Sequence, residues 1–377
     1  ARAEWWDLTC PSCTHPFEGA AAIILGEYGL STLEGAHGRE LEVGMMLISL
    51  ANAYADAGDV ERARNLLERA LAIYERECGP EHPAIASALG NLGNACMDLG
   101  DAERAMSLLE RALAIDERVY GPEHRNVATA LMKLGSACRD LGEAARARTL
   151  LERALAIRER EYGLENREVA AILTNLGSAC RDLGDAERAR SLLERALAIR
   201  EREYGLEHRE VATTLTNLGS ACGDLGEAER ARSLLERALA IREREFGPEH
   251  REVASTLTNL GSACRDLGDA ELARSRLERA LAIREREYGP EHREVANTLT
   301  NLGNACRDLG ETVRARSLLE RALAIREREY GPEHGEVATT LTNLGSACRD
   351  LGDGERARSY LERALAIRER EYGPGHR

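Results

Sequence analysis

The stretch PEHREVASTLTNLGSACRDLGDAELARSRLERALAIREREYG, residues 248–289, recurs along the 377-residue chain at a step of 42 residues. The step is plainest in the cysteines, each 42 residues beyond the last: Cys96, Cys138, Cys180, Cys222, Cys264, Cys306 and Cys348. A fixed period of this size is typical of solenoids, in which each unit contacts only its neighbours. The period therefore predicts an array that presents a long binding surface rather than a catalytic centre.

One repeat unit predicts two antiparallel helices joined by short turns. Apolar residues follow i, i+3, i+4, i+7 spacing from Glu210 to Asp224, as in an amphipathic helix. Gly226 ends this helix, and Glu227, which is aspartate in several neighbouring units, opens the next one and is expected to cap its free N–H groups. The second helix should run to Phe246, where Gly247 takes a left-handed cap before a proline.

The positions that recur from unit to unit resemble the motif of the tetratricopeptide repeat. The positions that match its motif are Leu215, Leu218, Gly219, Cys222, Ala231, Leu235 and Ala238. Cysteine at the aromatic position is the main departure, and only Tyr54 in the first unit keeps tyrosine. The 42-residue unit, as in LERALAIREREYGPEHREVANTLTNLG at 277–303, is most similar to the repeats of kinesin light chain and nephrocystin-like proteins. The resemblance implies an all-α, right-handed superhelical α-solenoid of tandem antiparallel helix pairs.

The Leu-Gly pairs count eight tandem units over residues 40–377, of which the first is divergent. Residues 1–39 lie outside the repeat, yet residues 17–29 match the second-helix sequence and are interpreted as a decayed half-repeat that caps the first unit. No matching cap follows the last unit. We therefore expect either that the natural chain continues or that another chain covers this end.

Composition excludes several classes of function. The formal net charge is −14, and of 51 basic residues only Lys133 is lysine. Arginines alternate with glutamates, as in residues 242–245, which predicts a solvated face laced with salt bridges rather than a nucleic-acid-binding patch. No apolar segment reaches the length needed to span a bilayer. The free, periodic cysteines favour a reducing intracellular compartment, such as the cytoplasm.

The cysteine and histidine rows are interpreted as structural. Stacked units separate equivalent residues by about 10 Å, which is too far for a disulfide or a shared metal ion. The cysteines are therefore predicted to be small core residues. The histidines, which lie in the turn before each first helix, are predicted to cap or stabilise that turn, and Asn166 replaces one of them. No cofactor is predicted.

The non-repeating N-terminal segment contains one motif with possible chemistry. Cys10 and Cys13, with His15 nearby, have the spacing of an inert or local pair, a disulfide or half of a zinc site. No second pair of ligands accompanies them in the sequence. Trp5 and Trp6 beside this motif are interpreted as a cap or a docking surface for a partner.

The first helices carry the candidate peptide-binding residues. An asparagine precedes the Leu-Gly pair in most units: Asn91, Asn175, Asn217, Asn259, Asn301 and Asn343. Lys133 replaces it in one unit. The resemblance to kinesin light chain implies that these asparagines clamp the backbone of an extended peptide. Arginines that follow the periodic cysteines could meet carboxylates: Arg139, Arg181, Arg265, Arg307 and Arg349.

A local departure from the repeat lies in the sixth unit. Where other units have Arg230 and Leu234, this unit has Leu272 and Arg276, so that polarity is exchanged over one helical turn. Gly223, one unit earlier, lacks the arginine found after other cysteines. These positions are predicted to form a local partner contact.

Three functions remain open at this stage. The first is a non-enzymatic scaffold that binds a protein or peptide in its groove. The second is a structural subunit of a larger complex that uses its outer faces and open C-terminal end, which near-identical units favour. The third is an enzyme or metal-dependent switch at Cys10 and Cys13, although no Ser/His/Asp or carboxylate constellation stands out from the repeat.

Overall fold

The computed structural model describes residues 19–34 and 38–372, and every regular element within them is an α-helix. The chain divides into two compact parts, Ala1–Asp185 and Ala186–Arg377. The helices of the first part are α1 (Gly19–Glu34), α2 (Glu40–Asp56), α3 (Val60–Cys78), α4 (Pro83–Asp98), α5 (Ala102–Tyr120), α6 (Arg125–Asp140), α7 (Ala144–Tyr162) and α8 (Arg167–Asp182). Those of the second are α9 (Ala186–Tyr204), α10 (Arg209–Asp224), α11 (Ala228–Phe246), α12 (Arg251–Asp266), α13 (Ala270–Tyr288), α14 (Arg293–Asp308), α15 (Thr312–Tyr330), α16 (Gly335–Asp350) and α17 (Gly354–Tyr372).

Each unit consists of a first helix (α2 and the following even-numbered helices) and a longer second helix (α3 and the following odd-numbered helices). Within each part, consecutive helices pack against each other, and consecutive first helices also contact. Among the described residues, the backbones of two second helices never come close enough to contact each other. The first helices of each part therefore form one continuous side, and the second helices form the other.

Side chains at the helix starts explain the boundaries. The Nδ1 atom of His250 accepts a hydrogen bond from the backbone N–H two residues later at 3.2 Å, and Asn166 does the same with its side-chain oxygen at 2.9 Å. The six histidines of the row within the described residues, from His82 to His334, are thus N-caps, as predicted. Asp269 caps its second helix, but Glu227 makes no capping hydrogen bond, so the cap predicted for Glu227 is wrong. Gly247 has a positive φ of 86° but an extended ψ of 158°, a region open to glycine rather than the left-handed helical cap.

Close approach of the two helices in a unit depends on the glycine of each Leu-Gly pair. A Cβ atom at Gly261 would lie 2.6 Å from the Cγ atom of Leu277 on the second helix, well inside van der Waals contact. The periodic cysteine that follows, Cys264, is fully buried, and the other six are buried in the same way. Burial raises the pKa of the Cys222 thiol to about 11, so these thiols are inert core residues.

The Arg-Glu alternation at 242–245 is not uniformly solvated, contrary to the prediction. Arg242 is only 5% exposed, whereas Arg244 lies on the outside of the same helix. Glu243 is half-buried and pairs with Arg279 on the following second helix at 2.5 Å. The pattern therefore combines a buried arginine with charges that bridge neighbouring units.

Helix α1 packs on α2 at the start of the first part. Gly26 and Gly29 lie against α2, because Cβ atoms there would be 2.8 Å from a Leu50 methyl carbon and from the Met46 methyl carbon. The hydroxyl of Tyr54 donates a hydrogen bond to the carboxylate of Glu27, which ties the two helices together. The helix predicted for residues 17–29 is observed from Gly19 and continues to Glu34. None of the described helices has the length and hydropathy of a membrane span.

Candidate functional site

The asparagine row forms lateral hydrogen bonds between neighbouring first helices. The amide nitrogen of Asn175 donates to the hydroxyl of Ser136 at 3.2 Å, and Asn259 and Asn301 repeat the contact to serines on their preceding first helices at 3.2 and 3.4 Å. Asn91 donates to the side-chain oxygen of Asn52 at 3.1 Å. The whole row, including Asn217 and Asn343, is half-buried on the first helices.

These bonds fix the orientation of the amides. In Asn175, Asn259 and Asn301 the nitrogen is held by a serine, so the oxygen Oδ1 is the atom left over as an acceptor. No group in the described part of the chain donates to these three oxygens. Each amide nitrogen also has a second N–H. Asn175, Asn259 and Asn301 therefore each keep one acceptor and one donor that the described part of the chain does not use.

Lys133 joins this row in a different way. Its ammonium group donates to Oδ1 of Asn91 at 2.7 Å, so that this amide oxygen, unlike those of Asn175, Asn259 and Asn301, has a donor within the chain. Burial lowers the pKa of Lys133, while the nearby carboxylate of Asp116 opposes this effect. The lysine thus marks a unit whose polar contacts differ from those of the others.

The arginines that follow the periodic cysteines pair mainly within the array. Arg139, Arg265 and Arg307 each approach an aspartate on the next first helix, at 3.9, 3.2 and 3.7 Å. Arg181 is half-buried, and the side chain of Arg349 is 72% exposed. For Arg139, Arg265 and Arg307, an aspartate of the chain therefore supplies a pairing partner.

A second set of arginines was missed by sequence reasoning. Arg200, Arg242, Arg284 and Arg326, at equivalent positions of successive second helices, are all at least nine-tenths buried. Each donates to a backbone carbonyl ten residues on, at 2.8 to 3.1 Å, and to a threonine hydroxyl fourteen residues on, at 2.5 to 2.7 Å. The carboxylate of the same glutamate that supplies the carbonyl lies within 3.1 to 3.5 Å. We call this arrangement the arginine node; it joins each second helix to the next first helix.

The model of the tetratricopeptide repeat matches residues 42–117, 85–160, 168–244, 224–286, 252–328 and 294–370. The chain belongs to the tetratricopeptide repeat family. Its repeats are similar in sequence to the nearly identical repeats of a putative kinesin light chain of Podospora anserina, with 27% identity over 55% of this chain and 98% of that one, and a TM-score of 0.47. No curated protein matches significantly.

Two solved structures share the fold of this tetratricopeptide repeat protein over nearly its full length. The quorum sensor NprR from B. thuringiensis aligns with a TM-score of 0.66 at 15% identity, over 91% of this chain and 92% of that one. A Rap protein complexed with Competence and Sporulation Factor aligns with a TM-score of 0.69 at 16% identity, over 93% and 92%. At this identity the likeness concerns the fold alone.

The sixth unit of the tetratricopeptide array loses one ionic contact on its outer side. Arg230 and Arg314 each pair with a glutamate on the preceding second helix at 2.6 Å. Leu272 stands at the equivalent position between them, and Glu236, which would be its partner, pairs with Arg232 of its own helix at 2.9 Å instead. The substitution thus exchanges a bridge between units for a half-buried leucine.

The other two residues of the predicted local contact lie in different surroundings. Arg276 is half-buried, and its Nε atom is buried with no hydrogen-bond partner among the described residues. Gly223 lies near the end of α10 with no atom within 4 Å of a Cβ position. Nothing in these positions brings the three residues into one site, so their role as a partner contact stays a prediction.

The N-terminal candidates Trp5, Trp6, Cys10, Cys13 and His15 lie outside the described residues. Within residues 19–34 and 38–372, no group of three or more histidine, cysteine or acidic side chains has the arrangement of a metal site.

Proposed function

We propose that the protein is a binding scaffold that holds an extended peptide segment of a partner protein along its first helices. Tetratricopeptide arrays are typically protein- or peptide-binding and generally non-enzymatic. The observation that carries the proposal is the orientation of three amides, those of Asn175, Asn259 and Asn301, whose Oδ1 atoms have no donor in the described part of the chain. An extended backbone offers one N–H and one C=O for each residue, which matches the acceptor and remaining donor of each amide.

The test uses peptides selected by display against the wild-type protein. Their dissociation constants are then measured by calorimetry on the wild type and on the double variant Asn259→Ala/Asn301→Ala. Loss of about two hydrogen bonds should weaken binding by about tenfold or more. Equal dissociation constants for both proteins would refute the proposed role of the amides.

A matched control separates the two roles of these asparagines. The double variant Ser220→Ala/Ser262→Ala removes the bonds that orient Asn259 and Asn301 but keeps the amides themselves. We expect it to weaken peptide binding by less than the asparagine variant does. If the serine variant loses as much affinity, then the asparagines act through the array and not through the peptide.

A second candidate, a structural subunit of a larger complex, is favoured by one observation on α17. Leu361 and Leu365 are 38% and 56% exposed, whereas the equivalent Leu319 and Leu323 of α15 are buried. We infer that a second polypeptide chain packs on this face. Light scattering on the wild type and on Leu361→Glu/Leu365→Glu checks this. A monodisperse monomer for the wild type of this chain would argue against a role for this face in self-association.

A further inference from the structure

In the first part of the chain, the arginine position of the node holds Tyr74, Asp116 and Arg158, and Asp116 is the one carboxylate among the equivalent positions of all units. Asp116 on α5 stands where the second part has Arg200, Arg242, Arg284 and Arg326. The partners change with it, because Asn126 replaces the glutamate ten residues on and Ala130 replaces the threonine fourteen residues on. A change of the arginine alone would leave the buried carboxylate of Asp116 beside the carboxylate of a half-buried glutamate, and asparagine at position 126 avoids this.

These replacements open a cavity of about 190 Å³ between α4, α5 and α6. Asp116 lines it together with Ser87, Asn126, Ala130 and Lys133. Ser87 lies 29 residues before Asp116, the same separation as between Arg326 and Asn297, which accepts a hydrogen bond from that guanidinium at 2.6 Å. The cavity is thus lined by the equivalents of the residues that surround the guanidinium group in intact nodes.

The carboxylate in this cavity is buried but has no partner. Asp116 is 8% exposed, and no group in the described part of the chain forms a hydrogen bond or ion pair with it. Burial raises its pKa to about 6, against the opposing charges of His124 and Lys133. At neutral pH the site therefore presents a desolvated negative charge to whatever enters the cavity.

Lys133 does not fill the space. Its ammonium group is held by Asn91 at 2.7 Å, and its side chain lies over Gly90, where an added Cβ atom would be 3.1 Å from the nitrogen. The other units have a larger side chain at the position of Gly90, which is isoleucine in the first unit, methionine in one unit and threonine in the rest. The glycine leaves room for the lysine at the wall of the cavity and leaves the carboxylate facing open space.

We propose that the Asp116 cavity binds the guanidinium group of an arginine side chain supplied by a partner peptide. The ligand would occupy the place that the chain's own arginines hold in the intact nodes. Oxygen acceptors surround it: the carboxylate of Asp116, the amide oxygen of Asn126 and the hydroxyl of Ser87. A bidentate contact with the carboxylate selects guanidinium over a single-point cation. The biological role of this site rests on the proposed peptide-binding function.

The experiment uses N-acetyl-arginine N-methylamide, which carries the side chain without the rest of a peptide. Saturation-transfer NMR measures its binding to the wild type, to Asp116→Asn and to Lys133→Asn, with the neutral citrulline analogue as the matched control ligand. We expect binding to the wild type, at least about tenfold weaker binding to Asp116→Asn, and none of the citrulline analogue. Lys133→Asn removes a competing cation, so it should bind the probe at least as tightly as the wild type.

A triple variant provides the converse control. Asp116→Arg/Asn126→Glu/Ala130→Thr restores the node, so the chain's own guanidinium should occupy the cavity and exclude the probe, with helix content checked by circular dichroism. Equal binding to wild type and Asp116→Asn, loss of binding in Lys133→Asn, or no binding to the wild type would overturn the proposal. If the probe binds but displayed peptides do not, the pocket stands and the peptide scaffold fails. If displayed peptides bind but the probe does not, the peptide scaffold stands and the proposed arginine site in the Asp116 cavity fails.

Discussion

Replacing Asp116 by asparagine should stabilise helices α5 and α6 at neutral pH and change little at acid pH. The carboxylate is buried between these helices without a hydrogen-bond partner among the described residues. Its pKa is raised from 3.8 to about 6, mainly because burial disfavours the charged form. Asparagine keeps almost the same volume and cannot ionise, so the comparison isolates the charge.

The sign and size follow from the two pKa values. The folded state holds the proton of Asp116 more tightly than the unfolded state does, so stability falls as the pH rises from about 4 to about 6 and stays lower above that. A pKa difference of roughly 2, at about 1.4 kcal/mol for each tenfold change in proton affinity, amounts to about 3 kcal/mol. The positive charges of His124 and Lys133 oppose this rise in the pKa of Asp116, and their effect is already contained in the value of about 6.

Hydrogen exchange measured by mass spectrometry suits this test, because a repeat array opens locally rather than all at once. Exchange rates of peptides from α5 and α6 are followed from pH 4 to pH 8 and corrected for the intrinsic pH dependence of exchange. Peptides from α11 and α12, where Arg242 forms an intact node, serve as the internal control and should not differ between the two proteins. Parallel pH profiles for wild type and Asp116→Asn in α5 and α6 would refute the reasoning.

Two pairs of substitutions and one labelling reaction check the packing of the helices. Arg242→Met leaves buried acceptors without a donor, so it should lower the local free energy of unfolding, measured by hydrogen exchange, by about 3 kcal/mol. Arg244→Met removes only an exposed ion pair and should lower it by less than about 1 kcal/mol. Gly261→Ala should destabilise by about 1–3 kcal/mol in thermal denaturation because its Cβ atom meets a leucine, whereas Gly223→Ala, in open space, should stabilise by about 0.5–1 kcal/mol. Among the described cysteines, half-buried Cys78 should react with a thiol reagent well before the buried ones.

Each of these three predictions has an outcome that would contradict it. Equal losses for the two arginine variants would mean that burial does not distinguish the node from the outer salt bridges. A neutral Gly261→Ala would show that the helices of a unit can separate without cost. Simultaneous labelling of Cys78 and the buried cysteines under native conditions would indicate that the array opens too often for its thiols to be protected.

The period and the local helix signals were sufficient to predict the helix pairs and the capping histidines. Both depend on short-range chemistry, such as the side chain of His250 and the backbone N–H two residues later. The buried arginines were not predictable in this way. Arg242 and Arg244 look alike in an alternating Arg-Glu stretch, yet they lie about 200° apart around the helix. Only the next unit, packed against one of these faces, decides which arginine is buried.

The sequence predicted which helices carry the candidate residues, but it did not predict the hydrogen bonds that these residues make. The asparagines do lie on the first helices, but their bonds to serines 39 residues earlier, as between Asn259 and Ser220, depend on the offset between neighbouring helices. The same holds for Arg265, whose aspartate partner lies on the next first helix at 3.2 Å. Lys133 was recognisable as a break in the row. Its link to Asp116 and Ala130 was visible only by comparing the same positions across all units.

Near-identical units create a difficulty for specific recognition, because a surface that repeats at each step cannot by itself fix the register of a peptide. Asp116, Asn126, Ala130 and Lys133 provide a solution at one step of the array. Changed singly, several of these residues would leave a buried charge or acceptor without its partner, which is costly. Changed together, they exchange an internal arginine for an open cavity that contains one carboxylate, with the ammonium group of Lys133 at its wall bonded to Asn91. A peptide held by the uniform amides could then be set in register by one arginine. If so, moving that arginine by one residue within a bound peptide should weaken binding to the wild type but leave binding to the restored triple variant unchanged.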